Sequence, residues 1–163
     1  LVEAKYLFGL QPTQIEVLVH RQSMVHSMVG FTDGSIMAQM GPPDMRGAIG
    51  FALNYPERSD LPVERVDFAA LGALDFAAPD PERFPSLRIA ARVLEMGGLA
   101  GTVLNAAKEA AMHAFIARKV GFLQMADLVE HALDTLDCEG EPVDLDAVLE
   151  LDRAARADVA SRL

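Results

Sequence analysis

The sequence predicts an α+β fold: a β-hairpin module, a long connector and a C-terminal four-helix bundle. Alternating apolar residues flank Thr32-Asp33-Gly34-Ser35, where glycine can supply the positive φ of a tight hairpin turn. From residue 86 onward, apolar residues instead recur at three-to-four spacing, the periodicity of amphipathic helices. Five of the nine prolines lie between residues 55 and 85 and separate the two patterns.

The composition restricts the class of protein. A chain of 163 residues with 51% hydrophobic content can bury one good core or two small ones. The net charge of -10 argues against nucleic-acid binding, which relies on Lys and Arg. No apolar run approaches the roughly 20 residues of a membrane span, and the single cysteine, Cys138, cannot form an internal disulfide. These features predict a cytoplasmic protein without membrane or nucleic-acid partners.

The first predicted module covers residues 1–58. LVEAKYLFG resembles the last turns of an amphipathic helix that stops at Gly9, and a first residue of Leu leads us to expect a fragment of a longer protein. Strands are predicted at about 15–19, 24–31 and 36–40. Asp44 is the expected N-cap of a helix over about 45–53.

Residues 59–85 are predicted to form the connector, and residues 86–163 the helical domain. Connectors of this length in compact proteins are usually functional or bridging, so we expect this one to cross a surface. Ser86 is a candidate cap for the first helix of the bundle, and Asp144 for the last. The two helices between them are predicted over about 102–119 and 123–136.

Two residue clusters could carry metal chemistry. His20 and His26 are six apart with no carboxylate beside them, so hydrogen bonds to the backbone are favoured over a small histidine-based metal site. Ser23 and Ser27 flank His26, but adjacency on a strand does not create a Ser-His dyad. The acidic residues between 137 and 146 suit a loop and a helix cap better than a calcium site, since their glycine is out of register.

Several segments of the chain, in order, closely resemble 1-deoxy-D-xylulose 5-phosphate reductoisomerase. The long block from HRQSMVHSM to PDMR is specific to that family. The matching segments are VEAKYLF, IEVLVHRQSMVHSMVGFTDGSIMAQMGPPDMR, NYPER, LDFAAPDPERFPSLRIA, LNAAKEAAMHAF and VGFLQMADLVE.

The resemblance implies an enzyme that converts 1-deoxy-D-xylulose 5-phosphate to 2-C-methyl-D-erythritol 4-phosphate with NADPH and Mg²⁺ or Mn²⁺, in isoprenoid precursor biosynthesis. It implies that this chain holds the end of an α/β catalytic domain, while the nucleotide-binding domain and the metal-binding carboxylates precede Leu1. The fragment alone is then expected to be inactive and to bind neither cofactor tightly.

The resemblance also assigns individual residues. His26 matches a histidine that supports a metal-binding carboxylate, and Ser23 matches a nearby serine. Pro43 and Met45 match a loop that forms the wall of the substrate and nicotinamide pocket. The strands within residues 15–40 match those that join two subunits into a homodimer.

The chain departs from the family pattern at Arg21, Gly47, Ala48 and Lys108. An alternative to an enzyme fragment is therefore a non-catalytic dimerisation or protein-interaction module. In that case the hairpin pairs two subunits and the acidic helical half binds a partner.

Overall fold

A computed structural model of the chain describes residues 1–138, 140, 142 and 144–163. Their architecture is mixed: seven α-helices, one 3-10 turn and one two-stranded antiparallel sheet, in agreement with the predicted α+β class. In chain order the elements are α1 (Val2–Phe8), the 3-10 turn (Pro12–Gln14), β1 (Val25–Gly30), β2 (Ile36–Met40), α2 (Met45–Asn54), α3 (Phe68–Leu71), α4 (Pro85–Met96), α5 (Ala100–Ile116), α6 (Gln124–Thr135) and α7 (Leu145–Ala160).

The chain divides into two compact units. One consists of Leu1–Glu16 with Asp80–Leu163, and the other of Val17–Pro79. The predicted boundaries at 58 and 85 stay a prediction. No helix among the described residues is long and apolar enough to cross a membrane.

The helical unit contains every buried side chain found in the described residues. Helix α5 is its centre and packs against α4, α6 and α7. The buried face of α5 is built mainly from alanines, whose small side chains let the neighbouring helices approach closely. The buried residues are Ile89, Val93, Leu94, Ala100, Val103, Ala106, Ala107, Ala111, Ala114, Leu128, Val129, Ala132, Leu133, Cys138, Ala155 and Val159.

Of two local predictions about helix ends, one agrees with the structure and one does not. Gly9 ends α1 with φ 62° and ψ 32°, as predicted. Ser86, however, is not an N-cap. Helix α4 begins at Pro85 after Phe84, because a proline with its fixed φ and missing N–H suits the first helical position, and this places Ser86 inside the helix.

An ion-pair network joins α5 to α7. Arg156 donates to Glu109 Oε2 at 2.7 Å and to Asp152 Oδ2 at 2.7 Å. Hydrogen bonds from this guanidinium lower the pKa of both carboxyl groups, and the carboxylates raise the pKa of Arg156. The network stays charged at neutral pH.

The predicted strand at 15–19 is wrong. Only Val19 pairs there, through an isolated antiparallel bridge to Ala77 with N···O distances of 2.9 Å in both directions. Pro79, two residues beyond Ala77, has no N–H with which to extend a ladder. Consequently the sheet has two strands, and residues 15–24 form no regular element apart from this bridge.

Candidate functional site

The hairpin brings the residues before β1 next to those after β2. Its strands pair from Val25 opposite Met40 to Gly30 opposite Ile36. The closed end is the predicted turn, in which Gly34 has a φ of 84°. At the open end, the N–H of Gly41 donates to Met24 O at 2.9 Å, so the loop after β2 begins beside the start of β1. The four predicted site residues lie near this open end: Ser23, His26, Pro43 and Met45.

Ser23 occupies the turn that leads into β1. Its φ is 51°, in the left-handed region that non-glycine residues seldom adopt. Its N–H donates to His20 O at 3.2 Å, which closes the turn. Such backbone conformations persist where the surroundings hold them, and they are frequent at functional sites.

Contacts with Asp75 and Phe76 hold this turn in place. The ring of His20 bonds through Nδ1 to Asp75 O at 2.8 Å and stacks on Phe76 with ring centroids 4.7 Å apart. Gln22 donates to Asp75 Oδ2 at 2.6 Å and accepts from the Asp75 N–H at 3.3 Å. Reciprocal hydrogen bonds of this kind fix the backbone on both sides of Ser23.

His26 lies at an irregularity in the β1–β2 ladder. The register shifts by one residue between Val25 and Ser27, so His26 is the extra residue of a β-bulge. Its Nε2 is 3.1 Å from Gly41 O. Since a carbonyl oxygen only accepts, Nε2 carries the hydrogen, and Nδ1 is the nitrogen left to face another group.

Pro43 and Met45 lie on the loop and helix start that follow β2. Asp44, between them, caps α2 as predicted, by accepting from the Arg46 N–H at 2.9 Å. Met45 is the first residue of α2, and 70% of its surface is exposed. The loop therefore presents an uncovered apolar side chain next to the open end of the hairpin.

The carboxylate of Asp44 also forms an ion pair with the guanidinium of Arg46, which sequence reasoning missed. Hydrogen bonding and charge from Arg46 lower the pKa of Asp44, and Asp44 raises that of Arg46. An acidic N-cap two residues before an arginine is a local signal that could have indicated this contact. The contact between Gln22 and Asp75 spans 53 positions, and no local pattern predicts it.

The described ranges 1–138, 140, 142 and 144–163 contain no group of three or more His, Cys, Asp or Glu side chains that could hold a metal. His20 and His26 each bond to a backbone carbonyl, as the favoured interpretation predicted. For the calcium alternative, Glu139 and Glu141 lie outside the described residues.

Comparison with known proteins assigns the chain to a protein family. The family model described as DXP reductoisomerase C-terminal domain matches residues 40–158. This chain belongs to that family. The 1-deoxy-D-xylulose 5-phosphate reductoisomerases of Sinorhizobium fredii and Sinorhizobium medicae are 55% and 56% identical to it over 98% and 100% of its length. The predicted resemblance is therefore confirmed.

Solved structures of family members share the fold. The reductoisomerase of Zymomonas mobilis in complex with NADPH matches 99% of the chain with a TM-score of 0.91 and 45% identity. A second reductoisomerase, in complex with NADPH, fosmidomycin and magnesium, also matches 99% with a TM-score of 0.91, at 37% identity. The chain covers 41–42% of the length of these relatives and structures.

The four positions predicted to depart from the family pattern are exposed or helical in the structure. Arg21 and Ala48 are exposed, and a side chain at Gly47, inside α2, would meet no neighbouring atom. Lys108, on α5, points its Nζ to Asn105 Oδ1 at 3.4 Å. None of the four interrupts an element of the reductoisomerase fold.

Proposed function

We propose that the protein containing this chain is an NADPH-dependent reductoisomerase that converts 1-deoxy-D-xylulose 5-phosphate to 2-C-methyl-D-erythritol 4-phosphate. The observation that carries the proposal is the agreement of nearly the whole chain, in sequence and in fold, with enzymes of that name. We also infer that the protein works in the cytoplasm.

The residues of this chain that the structure describes do not fit the role of a metal centre. Its described residues offer no set of three carboxylate, imidazole or thiolate ligands. Magnesium or manganese would therefore be held by carboxylates in the part of the protein that this chain does not span, and the same part would bind NADPH. A divalent ion polarises the oxygens of a bound substrate.

In this proposal the chain supplies one wall of the pocket. Pro43 provides a rigid backbone, because its ring fixes φ. Met45 provides a flexible apolar side chain that excludes water beside the substrate and the nicotinamide. Ser23 supplies a hydroxyl at the opposite side of the hairpin's open end.

His26 supports the site through its two nitrogens. Nε2 holds the loop at Gly41 O, 3.1 Å away. In this proposal Nδ1 faces a metal-binding carboxylate, so that His26 joins the loop to the metal ligands.

The exposed hairpin favours a homodimer. Val29 and Met37 are directly opposite each other on one face, and both are largely exposed. A two-stranded sheet is marginal alone, and an uncovered apolar face commonly marks an interface. We infer that strands within residues 15–40 contact a second subunit. The same observation supports the alternative, a dimerisation or interaction module without catalysis.

We further propose the domain division 1–58, 59–85 and 86–163, with α4 to α7 as a four-helix bundle. Supporting it, α5 contacts each of the other three helices.

The test is NADPH oxidation by the complete protein and by the isolated 163-residue chain. The proposal predicts substrate-dependent and metal-dependent turnover by the complete protein and none by the isolated chain. A complete protein that dimerises without oxidising NADPH would support the interaction module instead. Turnover by the isolated chain would contradict the assignment of cofactor binding to the remainder of the protein.

A further inference from the structure

We propose that Asp44 and Arg46 are positioning residues that clamp the loop so that Met45 faces the substrate pocket. The inference rests on the proposed function, in which Met45 lines that pocket. It concerns the two residues on either side of Met45, and neither has to touch the substrate.

The clamp consists of several contacts that the Asp44 carboxylate makes with Arg46, two residues later. The Asp44 carboxylate accepts from the backbone N–H of Arg46 at 2.9 Å and from Arg46 Nε at 2.9 and 3.0 Å. Arg46 Nη2 donates to the same carboxylate. A planar guanidinium bound at two nitrogens fixes direction as well as distance. These contacts join the residues on either side of Met45 and thereby restrict its backbone.

The other end of the loop is fixed as well. The N–H of Gly41 donates to Met24 O at 2.9 Å, and its carbonyl accepts from His26. Within the loop, the Asp44 N–H donates to Pro42 O at 2.7 Å. Two consecutive prolines remove further backbone freedom. The loop is therefore fixed at both ends, and the contacts between Asp44 and Arg46 are the ones nearest Met45.

Helix capping alone does not require the guanidinium. Asp67 caps α3 by accepting from Ala69 N at 2.9 Å and Ala70 N at 3.0 Å, without an arginine contact. Asp44 has the additional ion pair, and hydrogen bonding to Arg46 keeps its pKa low, so the clamp stays ionised at neutral pH. This ion pair lies at the start of α2, where the predicted pocket residue Met45 is the first helical residue.

Met45 depends on this backbone constraint. No buried residue lies within Val17–Pro79, so the described part of this unit offers no packed core to hold the side chain. Without such packing, the backbone at Met45 sets the direction of its Cα–Cβ bond and thereby the region that the flexible thioether can reach. Displacement of a pocket wall by about 1 Å can reduce turnover substantially, up to about a hundredfold.

Three variants of the complete protein separate clamping from capping: Asp44→Ser, Arg46→Gln and the double variant. Serine retains the capacity to cap but cannot form the ion pair. Asp33→Ser is the matched control, because Asp33 also accepts from the residue two positions later, Ser35, but lies at the far turn of the hairpin. Circular dichroism establishes that each variant folds.

We expect kcat/KM to fall about tenfold in each clamp variant, with no further loss in the double variant, because each single change already breaks the same ion pair. The methyl resonance of Met45, in protein labelled at methionine methyl groups, should shift in all three and stay in place in Asp33→Ser. The inference is overturned if Asp44→Ser and Arg46→Gln leave that resonance unmoved, or move it while kcat/KM stays within about twofold of wild type. A wild-type protein without turnover contradicts the proposed function instead, and the resonance still decides whether the clamp orients Met45.

Discussion

The imidazole of His26 donates from Nε2 to the carbonyl oxygen of Gly41, 3.1 Å away across the open end of the hairpin. This contact determines which nitrogen of His26 is available to the rest of the site. Two amide substitutions can separate the nitrogens, because the glutamine amide reaches the position of Nε2 and the asparagine amide that of Nδ1.

We expect His26→Gln to retain the position of the loop and His26→Asn to lose it. In the complete enzyme, His26→Asn should raise KM for the phosphorylated sugar, since the pocket wall moves. His26→Gln should mainly lower kcat, about tenfold, since it lacks a donor to a metal-binding carboxylate. Steady-state kinetics at saturating metal distinguishes the two, and equal effects on both parameters would contradict separate roles.

The hairpin prediction concerns subunit association. Met37→Lys places a charge on a face that we propose is covered by a second subunit, so the complete protein should shift towards monomer. Ile116→Lys is the matched control, because both residues are 68% exposed but Ile116 ends α5 in the other unit. Sedimentation velocity measures the mass. A dimer that survives Met37→Lys would remove this face from the interface.

The network of Arg156, Glu109 and Asp152 gives a prediction about pH. The folded-state pKa values of both carboxyl groups lie below their usual 4.5 and 3.8, through hydrogen bonds from Arg156. A lowered pKa stabilises the fold above the unfolded-state value, and this contribution is lost as the pH falls through the folded-state value. The Tm difference between wild type and Arg156→Gln should therefore be largest near neutral pH and shrink below about pH 4. A difference that is constant with pH would contradict the ionic origin.

Gly98 gives a prediction about backbone approach. It has a φ of 48°, and an added Cβ would overlap the carbonyl oxygen of Gly140 and lie 3.1 Å from that of Cys138. Gly9 also has a positive φ, 62°, but an added Cβ there meets open space. We expect Gly9→Ala to lower the free energy of unfolding by about 1 kcal/mol, and Gly98→Ala by about 1–3 kcal/mol more.

Urea unfolding of both glycine variants measures this difference. The comparison controls for the cost of the left-handed conformation, which the two positions share. Equal destabilisation would show that the carbonyl groups of Cys138 and Gly140 do not constrain the turn between α4 and α5.

The sequence predicted the elements whose signals are local. The Asp33-Gly34 turn and its flanking alternation specified the hairpin, and β2 forms at the predicted residues 36–40. Asp44 caps the start of α2 and Gly9 ends α1, as capping rules require. In each case a few adjacent residues determine the conformation.

Two of the failures involve partners that are distant in sequence. The alternation of Ile15, Val17 and Val19 resembles a strand, but a strand needs a neighbour, and only Ala77 pairs with it. The bulge at His26 depends on the register of β2, which alternation within β1 does not reveal. The roles of Ser23, Pro43 and Met45 came from resemblance alone and stay predictions.

The most direct test of the central claim is the kcat/KM of Met45→Ala in the complete protein, measured by NADPH oxidation with 1-deoxy-D-xylulose 5-phosphate. Met112→Ala is the control, because Met112 is an exposed methionine of α5. If this chain forms a wall of the pocket, Met45→Ala lowers kcat/KM about tenfold with unchanged Tm, while Met112→Ala retains the wild-type value. Equal kcat/KM for wild type and both variants would contradict the claim.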